Sequence, residues 1–578
     1  MKKVLLSDNA LAVAQSRYFM EKEDWEGCAK RVAGTIALPE QTARDKYIDA
    51  FAEMIYNMDF LPGGRILRNC GRPRGSLFNC YHLPIGDSIE EIGQCLKDSL
   101  ILWSEGGGVG INFSPLRPRG DLIFGKGGQS SGLVSFLESF DRVADTIESG
   151  GSRRAAAIAH VDVSHPEVID FIDAKLTHGK LSHFNISVSV NDDFLMAVEA
   201  DDYWTFRFKQ KDYGKIKAKV IWDKIVQNMI NCAEPGLINW TNFAKNNSYY
   251  FEPVMGTNPC GETTLGPYGV CDLGSLVLPN FITGNVNTNW KKLESVIKLA
   301  VRFLDNVIEV NKYVLKEIDI NAHKSRRIGI GVIGLAEYLF AKKAKYGSER
   351  AVVETERLMQ FIRNACYQGS MELAIEKGAF PQFDPMHYGK ASFVRKLPAT
   401  LRMDIKKHGI RNCTSMALAP TGTISLIADY TSAIEPLFAK AMKRKDRVSE
   451  RLYIHPQYQE FIVNDQEIPD WFVDSFDLQP KDHFEMQVAC QKFCDASVSK
   501  TINLPKETTD EALSDLLLEY VHDLKGCTVY RDGSREGQIL NKVTEKEVRE
   551  YLLTDTLVDN NLDEEQVICA TGSCEIGT

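Results

Sequence analysis

Three side chains of different chemistry occupy alternate positions in "NPCGE": the amide of Asn258, the thiol of Cys260 and the carboxylate of Glu262. Pro259 cannot occupy a helix interior and Gly261 weakens one, so the stretch reads as extended chain. Alternate residues of an extended chain face one side, which would spread the three groups over roughly 13 Å at about 3.3 Å per residue. An amide, a sulfur and a potential base facing one cavity across the width of a nucleoside suit chemistry on a small polar substrate. The bland alternative for the same letters is a surface turn around a small buried thiol.

The other cysteines sort by setting. Cys80 in "GSLFNCYHLP" and Cys271 in "GVCDLGSLVLPNF" each lie in a strand-like run, and Cys271 follows Cys260 closely enough for a hairpin to return it to the same cavity. Cys569 and Cys574 close the chain on an acidic, small-residue-rich segment without histidine. That setting suits thiol–disulfide exchange better than a zinc site. Cys490 and Cys494 stand at helical spacing, and Cys28, Cys95, Cys232, Cys366 and Cys413 lie in apolar or helical surroundings, so all seven read as packing. One central thiol, a nearby pair and a terminal dithiol support radical or redox chemistry without naming a substrate.

Three glycine-containing loops could hold a ligand. "PTGTIS", Pro420 to Ser425, offers backbone N–H groups and hydroxyls to an anion, with a plain strand-to-helix turn as the alternative. "SEGGGVGINF" permits close backbone approach, and "SGGSRRAAA" adds Arg153 and Arg154 to a loop. "GIGVIG", Gly329 to Gly334, matches the dinucleotide-binding pattern, but it follows "HKSRRI" instead of an apolar strand, which argues against that site.

These groups need elements to position them. Residues 8 to 57 read mostly as helices. From "FLPGGRILRNCG" onward, strand-like runs such as "GVGINFSPL", "HFNISVSV", "SMALAPTGTIS" and "KGCTVYRDG" alternate with amphipathic helices such as "KKLESVIKLAVRFLDNVIEVNKYVL". The alternation predicts an α/β architecture, possibly a large barrel. The 578 residues can bury a large core, and a net charge of −10 argues against a dedicated nucleic-acid binder. There is neither an apolar run of membrane-spanning length nor a leader-like start, which points to a reducing, cytoplasmic setting where 14 cysteines form no structural disulfide framework.

With "SLFNC", "NPCGE", "CDLGSLVL", "APTGTISLIA" and "KGCTVYRDGSREGQ" in this order, the chain resembles the catalytic subunit of ribonucleotide reductase. It is most similar to the dimeric, adenosylcobalamin-dependent class II enzymes. The resemblance implies a ten-stranded α/β barrel of two antiparallel five-stranded halves with a central finger loop. It divides the chain into a helical segment (1–57), the barrel (58–540) and a flexible tail with the redox pair (541–578).

By the same resemblance Cys260 is the thiyl radical that removes the substrate's 3′-hydrogen, Glu262 the general base and Asn258 the partner of the ribose hydroxyls. Cys80 and Cys271 supply the reducing equivalents, and Cys569 and Cys574 reduce their disulfide and are recharged by thioredoxin or glutaredoxin. Nucleoside diphosphates would be held by Gly64, Asn79, Gly108, the finger tip from Asn258 through Pro259, Cys260 and Gly261 to Glu262, and the loop Pro420, Thr421, Gly422, Thr423, Ile424 and Ser425. Deoxynucleoside triphosphate effectors would be read by Asp87, Ser88, Arg117, Arg153 and Arg154 in a homodimer, with no metal site.

The chain departs from the family in two places. The stretch before "FLPGGRIL" is too short for an N-terminal ATP cone, so no overall ATP/dATP control is expected. Gly64 stands where many relatives carry a hydroxyl-rich loop, and it offers backbone contacts only.

Two other readings compete. A class I large subunit would take its radical from a separate metal-containing subunit through two adjacent tyrosines, but only Tyr530 stands in "TVYRDG". A regulator without catalysis would have no need of the complete Asn258, Cys260 and Glu262 set.

Overall fold

The computed structural model describes residues 4–554, apart from 124, 126, 150–152, 178, 285, 446–449 and 535–539. Three helices open it: α1 (Asp8–Arg17), α2 (Trp25–Ile36) and α3 (Arg44–Tyr56). Ser7 and Asp24 start the first two by accepting from the backbone N–H of Ala10 and Gly27, which satisfies donors that a helix start leaves open. Apolar positions at helical spacing then bury one face of α2 through Cys28, Val32 and Ile36.

Ten strands form one sheet. In chain order they are β1 (Phe60–Pro62), β2 (Cys80–Leu83), β3 (Gly108–Asn112), β4 (Ala157–Asp162), β5 (Phe184–Val190), β6 (Gly236–Asn239), β7 (Val270–Val277), β8 (Ile328–Ile333), β9 (Thr501–Leu504) and β10 (Gly526–Arg531). Strands β2 to β6 pair parallel in succession. Strand β7 pairs parallel with β8, and β9 with β10. The gap between β8 and β9 is closed by a short stretch in "SMALAP": Ile330 bridges Met416 and Leu418 bridges Val498, both parallel.

The two parallel sets meet antiparallel at β2–β7 and β6–β10. The result is a closed barrel of two five-stranded halves, as the family resemblance implies. Closure leaves no exposed edge, and β1 pairs antiparallel along the far end of β7.

Both faces of these strands are covered. Strands β7 and β8 are buried at every residue, as parallel strands under helices must be. The inward positions of β3 are glycines because the barrel is occupied. Residues Gly256–Thr257 and Thr264–Leu265 pair antiparallel as a finger, which in sequence lies between the two halves. A Cβ on Gly110 would fall 1.6 Å from the Thr257 carbonyl oxygen, and one on Gly108 would fall 2.8 Å from the Pro259 ring. The "GVG" of β3 is therefore the bed on which the finger lies.

Gly256 of the finger passes between His82 and His160, where a Cβ would meet their rings at 2.4 and 2.6 Å. Burial pushes these histidines down to about 4 and about 3, so both are neutral near pH 7.

"GIGVIG" is settled by position. Its first residues lie inside β8, and a Cβ on Gly329 would meet Leu273 at 2.6 Å and the Cys271 sulfur at 3.2 Å. These glycines make room for neighbours across the barrel wall and open no phosphate loop.

Toward the end of the chain, structure continues past 541. Leu540–Lys542 pairs with Ala441–Lys445, and Glu545–Thr554 is a helix with Val548 buried. Cys569 and Cys574 lie outside the described residues.

The finger's bed predicts a contrast between two glycines. Gly110→Ala sets a side chain against backbone that cannot yield, so urea unfolding should show a loss of about 3 kcal/mol. Gly34→Ala, in helix α2 with nothing within 4 Å of the added carbon, should instead gain about 0.5–1 kcal/mol. Equal effects at the two positions would contradict the packing described.

Candidate active site

The tip of the finger is a turn and not the extended strand expected from alternate spacing. Gly261 N–H donates to the Asn258 carbonyl at 3.1 Å, which closes a four-residue turn Asn-Pro-Cys-Gly. Asn first, Pro second and Gly fourth is the composition such a turn favours. Gly261 has φ +80°, a conformation glycine adopts without strain. Asn258 and Glu262 still converge, because the turn folds the chain back on itself.

The Asn258 carboxamide is held at both ends. Its oxygen accepts from Thr263 N–H at 3.0 Å and from the Thr263 hydroxyl at 2.8 Å. Its nitrogen donates to Glu262 Oε2 at 2.7 Å and to the Cys80 sulfur at 3.3 Å. The Cys80 thiol in turn lies 3.6 Å from Glu262 Oε1. Asn258 and Glu262 are fully buried, whereas Cys260 between them is exposed into the barrel.

Cys80 and Cys271 are direct partners across the β2–β7 seam. Antiparallel partners have Cα atoms about 4.5–5.5 Å apart, inside the span that a disulfide bridges. Both are buried free thiols, packed with Leu273, Ala417 and Ala496. Burial pushes both well above the usual thiol range, and the nearby Glu262 carboxylate adds to the effect at Cys80. They rest as S–H groups, able to give hydrogen. Burial also raises Glu262, against the Asn258 hydrogen bond that lowers it.

The remaining expected substrate residues fall in two places. Asn79 and Gly108 are neighbours, with Gly108 N–H donating to the Asn79 carbonyl at 2.8 Å. Gly64 begins the helix Gly64–Asn69, and the loop from Pro420 runs into the helix Gly422–Ala428. Tyr18 joins these two, for its hydroxyl donates to the Thr423 hydroxyl at 2.5 Å and lies 3.0 Å from where a Gly64 Cβ would be. Thr421 is held at φ +58°, and its hydroxyl accepts from Ala433 N–H at 2.8 Å. Ser425 bonds Ser432 at 2.8 Å. The hydroxyls of this loop are engaged in shaping it, which leaves backbone groups as its freest donors.

The expected effector residues are only partly gathered. Asp87 accepts from Arg117 N–H at 2.8 Å, from its guanidinium at 3.1 Å and from Lys209 at 3.0 Å. Burial would raise this carboxyl, but its Arg117 and Lys209 partners outweigh burial and hold it below the ordinary value. Asp87 also lines a cavity of about 580 Å³ shared with Ser114, Asp162, His165 and Lys209. Ser88 caps the helix Ile89–Ser104 in a reciprocal pair with Glu91. Arg153–Arg154 pairs with Glu148–Ser149 as a two-residue ribbon.

The sequence reading missed Thr263, Tyr18 and Lys209. Nothing in a single threonine, tyrosine or lysine marks it as a partner of residues distant in sequence.

The family models agree with this geometry. The ribonucleotide reductase all-alpha domain matches residues 4–75, and the ribonucleotide reductase barrel domain matches residues 78–530. The chain belongs to the ribonucleotide reductase family. A vitamin B12-dependent ribonucleoside-diphosphate reductase of Thermoplasma acidophilum is 36% identical over 92% of this chain and 72% of its own length. A protein of the same description from Mycobacterium tuberculosis is 36% identical over 94% of this chain and 81% of its own. The large chain of ribonucleoside-diphosphate reductase from Schizosaccharomyces pombe is 27% identical over 68% of this chain and 54% of its own.

The buried tip yields a pH prediction. Glu262 should titrate above the ordinary carboxyl value, and replacing Asn258 by leucine should raise it further, since a hydrogen bond to the charged form is lost. As the anion is the form that accepts a proton, any step using Glu262 as base should fade on acidification while the pH is still above that value. Difference infrared titration against Glu262→Gln reads the carboxyl directly. A midpoint at or below the ordinary value would contradict the burial described.

Proposed function

We propose that this chain reduces ribonucleoside diphosphates to 2′-deoxyribonucleotides by thiyl-radical chemistry, with adenosylcobalamin as its cofactor. The observation that carries the reading is the finger tip, where one exposed thiol stands beside a buried amide–carboxylate pair and two facing thiols. The B12-dependent description of relatives 36% identical along most of the chain supports the choice of cofactor. When bound, that group supplies the one-electron oxidation that turns the Cys260 thiol into a thiyl radical.

On one side of the finger the lining suits the nucleoside part of such a group. Cys260 borders a cavity of about 150 Å³ that is also lined by Asn185, Ser187, Gly236 and Thr528. A buried acceptor there, Asn185 Oδ1, lacks a hydrogen-bond partner among the described residues.

The steps then follow from the chain's own groups. Cys260 takes the 3′-hydrogen atom of the ribose, and Glu262 takes the proton of the 3′-hydroxyl while Asn258 orients it. The 2′-hydroxyl leaves as water with a proton supplied by the Cys80–Cys271 pair. The pair also gives a hydrogen to C2′, so that it loses two electrons and two protons in all and ends as a disulfide, and Glu262 returns its proton to the 3′-oxygen. Cys260 returns its hydrogen to C3′ and is a thiyl again. Cys569 and Cys574 reduce the disulfide by exchange and pass the electrons in from thioredoxin or glutaredoxin.

Backbone N–H groups of Gly422 and Thr423, with Gly64 nearby, hold the substrate phosphates, while Asn79 and Gly108 line the sugar side. Deoxynucleoside triphosphates bound near Asp87, Ser88 and Arg117, in a homodimer, set the preference among substrates through Arg153 and Arg154. These effector and partner assignments rest on resemblance.

A class I reading predicts dependence on a second subunit. Tyr530 stands half-buried on β10 with Val529 before it and Arg531 after it, so the expected adjacent tyrosine pair is absent there.

Cys260→Ser should bind nucleotide normally and form no detectable deoxynucleotide, because an O–H bond is far stronger than S–H. The wild-type chain should turn over with adenosylcobalamin and a dithiol and no second protein. Product from the serine variant, or an absolute need for another subunit, would contradict the proposal.

The two thiol pairs should also separate. Cys569→Ser or Cys574→Ser should stop thioredoxin-driven turnover and spare turnover driven by a small dithiol, while Cys80→Ser or Cys271→Ser should stop multiple turnover with both. Tail variants that fail with a small dithiol would exclude the shuttle.

A further inference from the structure

The two lysines of the cavity beside Cys260 are already hydrogen-bonded. Lys500 Nζ donates to Glu435 Oε2 at 2.6 Å, and Lys525 Nζ donates to the Asp495 and Ala496 carbonyls at 2.7 and 2.6 Å. Glu234, also in the lining, pairs with Lys175 at 2.6 Å. Asn185 adds a neutral acceptor, a buried Oδ1 that lacks a hydrogen-bond partner among the described residues. The same side chain uses its nitrogen on the finger: Asn185 Nδ2 donates to the Pro259 carbonyl at 3.3 Å, one residue before the thiol. With the nitrogen committed to Pro259, the oxygen is turned from the finger toward the cavity.

The wall of the cavity is closely packed around Asn185. Gly236 faces Asn185's strand from β6, and a Cβ there would lie 2.9 Å from the Ser187 hydroxyl. A buried carbonyl oxygen without a donor is costly, so its natural complement is an N–H or O–H group arriving with a ligand. The donors of a nucleoside, its ring amine and ribose hydroxyls, have that chemistry, and the methyl or hydroxide ligand of other cobalamins lacks those groups.

We propose that Asn185 is a positioning residue for the radical-generating nucleoside. Its Nδ2 pins the finger tip at Pro259, and its Oδ1 accepts a hydrogen bond from the adenosyl moiety of the cofactor. One amide thereby sets the distance between the cofactor and the Cys260 thiol. The assignment rests on the adenosylcobalamin reading above.

The test compares two cobalamins on three proteins, by equilibrium dialysis with full-length enzyme. Asn185→Ala should weaken adenosylcobalamin about tenfold, the size of one hydrogen bond, and leave hydroxocobalamin and nucleoside diphosphate affinity within about twofold. Asn185→Gln keeps both the N–H donor for the Pro259 carbonyl and the acceptor oxygen, and should recover part of the adenosylcobalamin affinity. Equal loss for both cobalamins, no loss for either, a glutamine variant as weak as the alanine one, or a loss confined to the nucleotide substrate would each overturn the assignment while sparing the cofactor reading. A wild-type enzyme that binds neither cobalamin would overturn the cofactor reading and this assignment with it.

Discussion

The geometry of the site depends on where one carboxamide spends its hydrogen bonds. Asn258 gives its oxygen to the backbone and hydroxyl of Thr263 and its nitrogen to Glu262 and Cys80. Reversing the amide would set oxygen against carboxylate and an N–H against an N–H, so its orientation is fixed by its neighbours. With it are fixed the carboxylate of the proposed base and the thiol of one proposed reductant. Both sit in a buried setting that keeps the thiol protonated and raises the carboxyl. Cys260, in the same turn, is exposed. The division is physical: groups that hold or move protons are buried, and the group that must meet a substrate and a radical source is exposed.

Topology brings the rest to this point. The chain completes one half of the barrel, enters the interior as the finger, and starts the second half with β7. The first strand of the second half therefore pairs with the first strand of the first half, and Cys271 lands opposite Cys80. The finger is accommodated because β3 presents glycine at both inward positions beneath it. Barrel closure through the short stretch at 416–418 also serves the site. The strand that closes the wall continues into the loop from Pro420, and Ser497 N–H donates to the Glu262 carbonyl at 2.8 Å.

Much of this was legible in the sequence, for reasons that differ by element. The amphipathic helices and the strands around Cys80, Cys271 and Gly108 were readable from periodicity and apolar runs, and the barrel from their alternation. The finger tip was misread as extended, although Asn-Pro-x-Gly is turn chemistry. Alternate spacing explains convergence equally well on paper, and only the Gly261 to Asn258 hydrogen bond decides between them. The glycines of "GIGVIG" could be refused as a nucleotide loop, but their reason, room for Cys271 and Leu273 across the wall, exists only once strands are paired. Partners such as Tyr18 and Lys209 were invisible because they act on residues far away in the chain. Residues 541–554 looked like tail because short polar elements carry little periodic signal.

The central claim is that Cys80 and Cys271 together supply the electrons for one turnover started at Cys260. The direct measurement is peptide mapping after a single turnover, with the Cys569→Ser/Cys574→Ser enzyme reduced, freed of reductant, and given adenosylcobalamin and a nucleoside diphosphate. The account predicts a Cys80–Cys271 disulfide in proportion to the deoxynucleotide formed. Deoxynucleotide formed while both cysteines remain free thiols, or a disulfide from either to another cysteine, would contradict it.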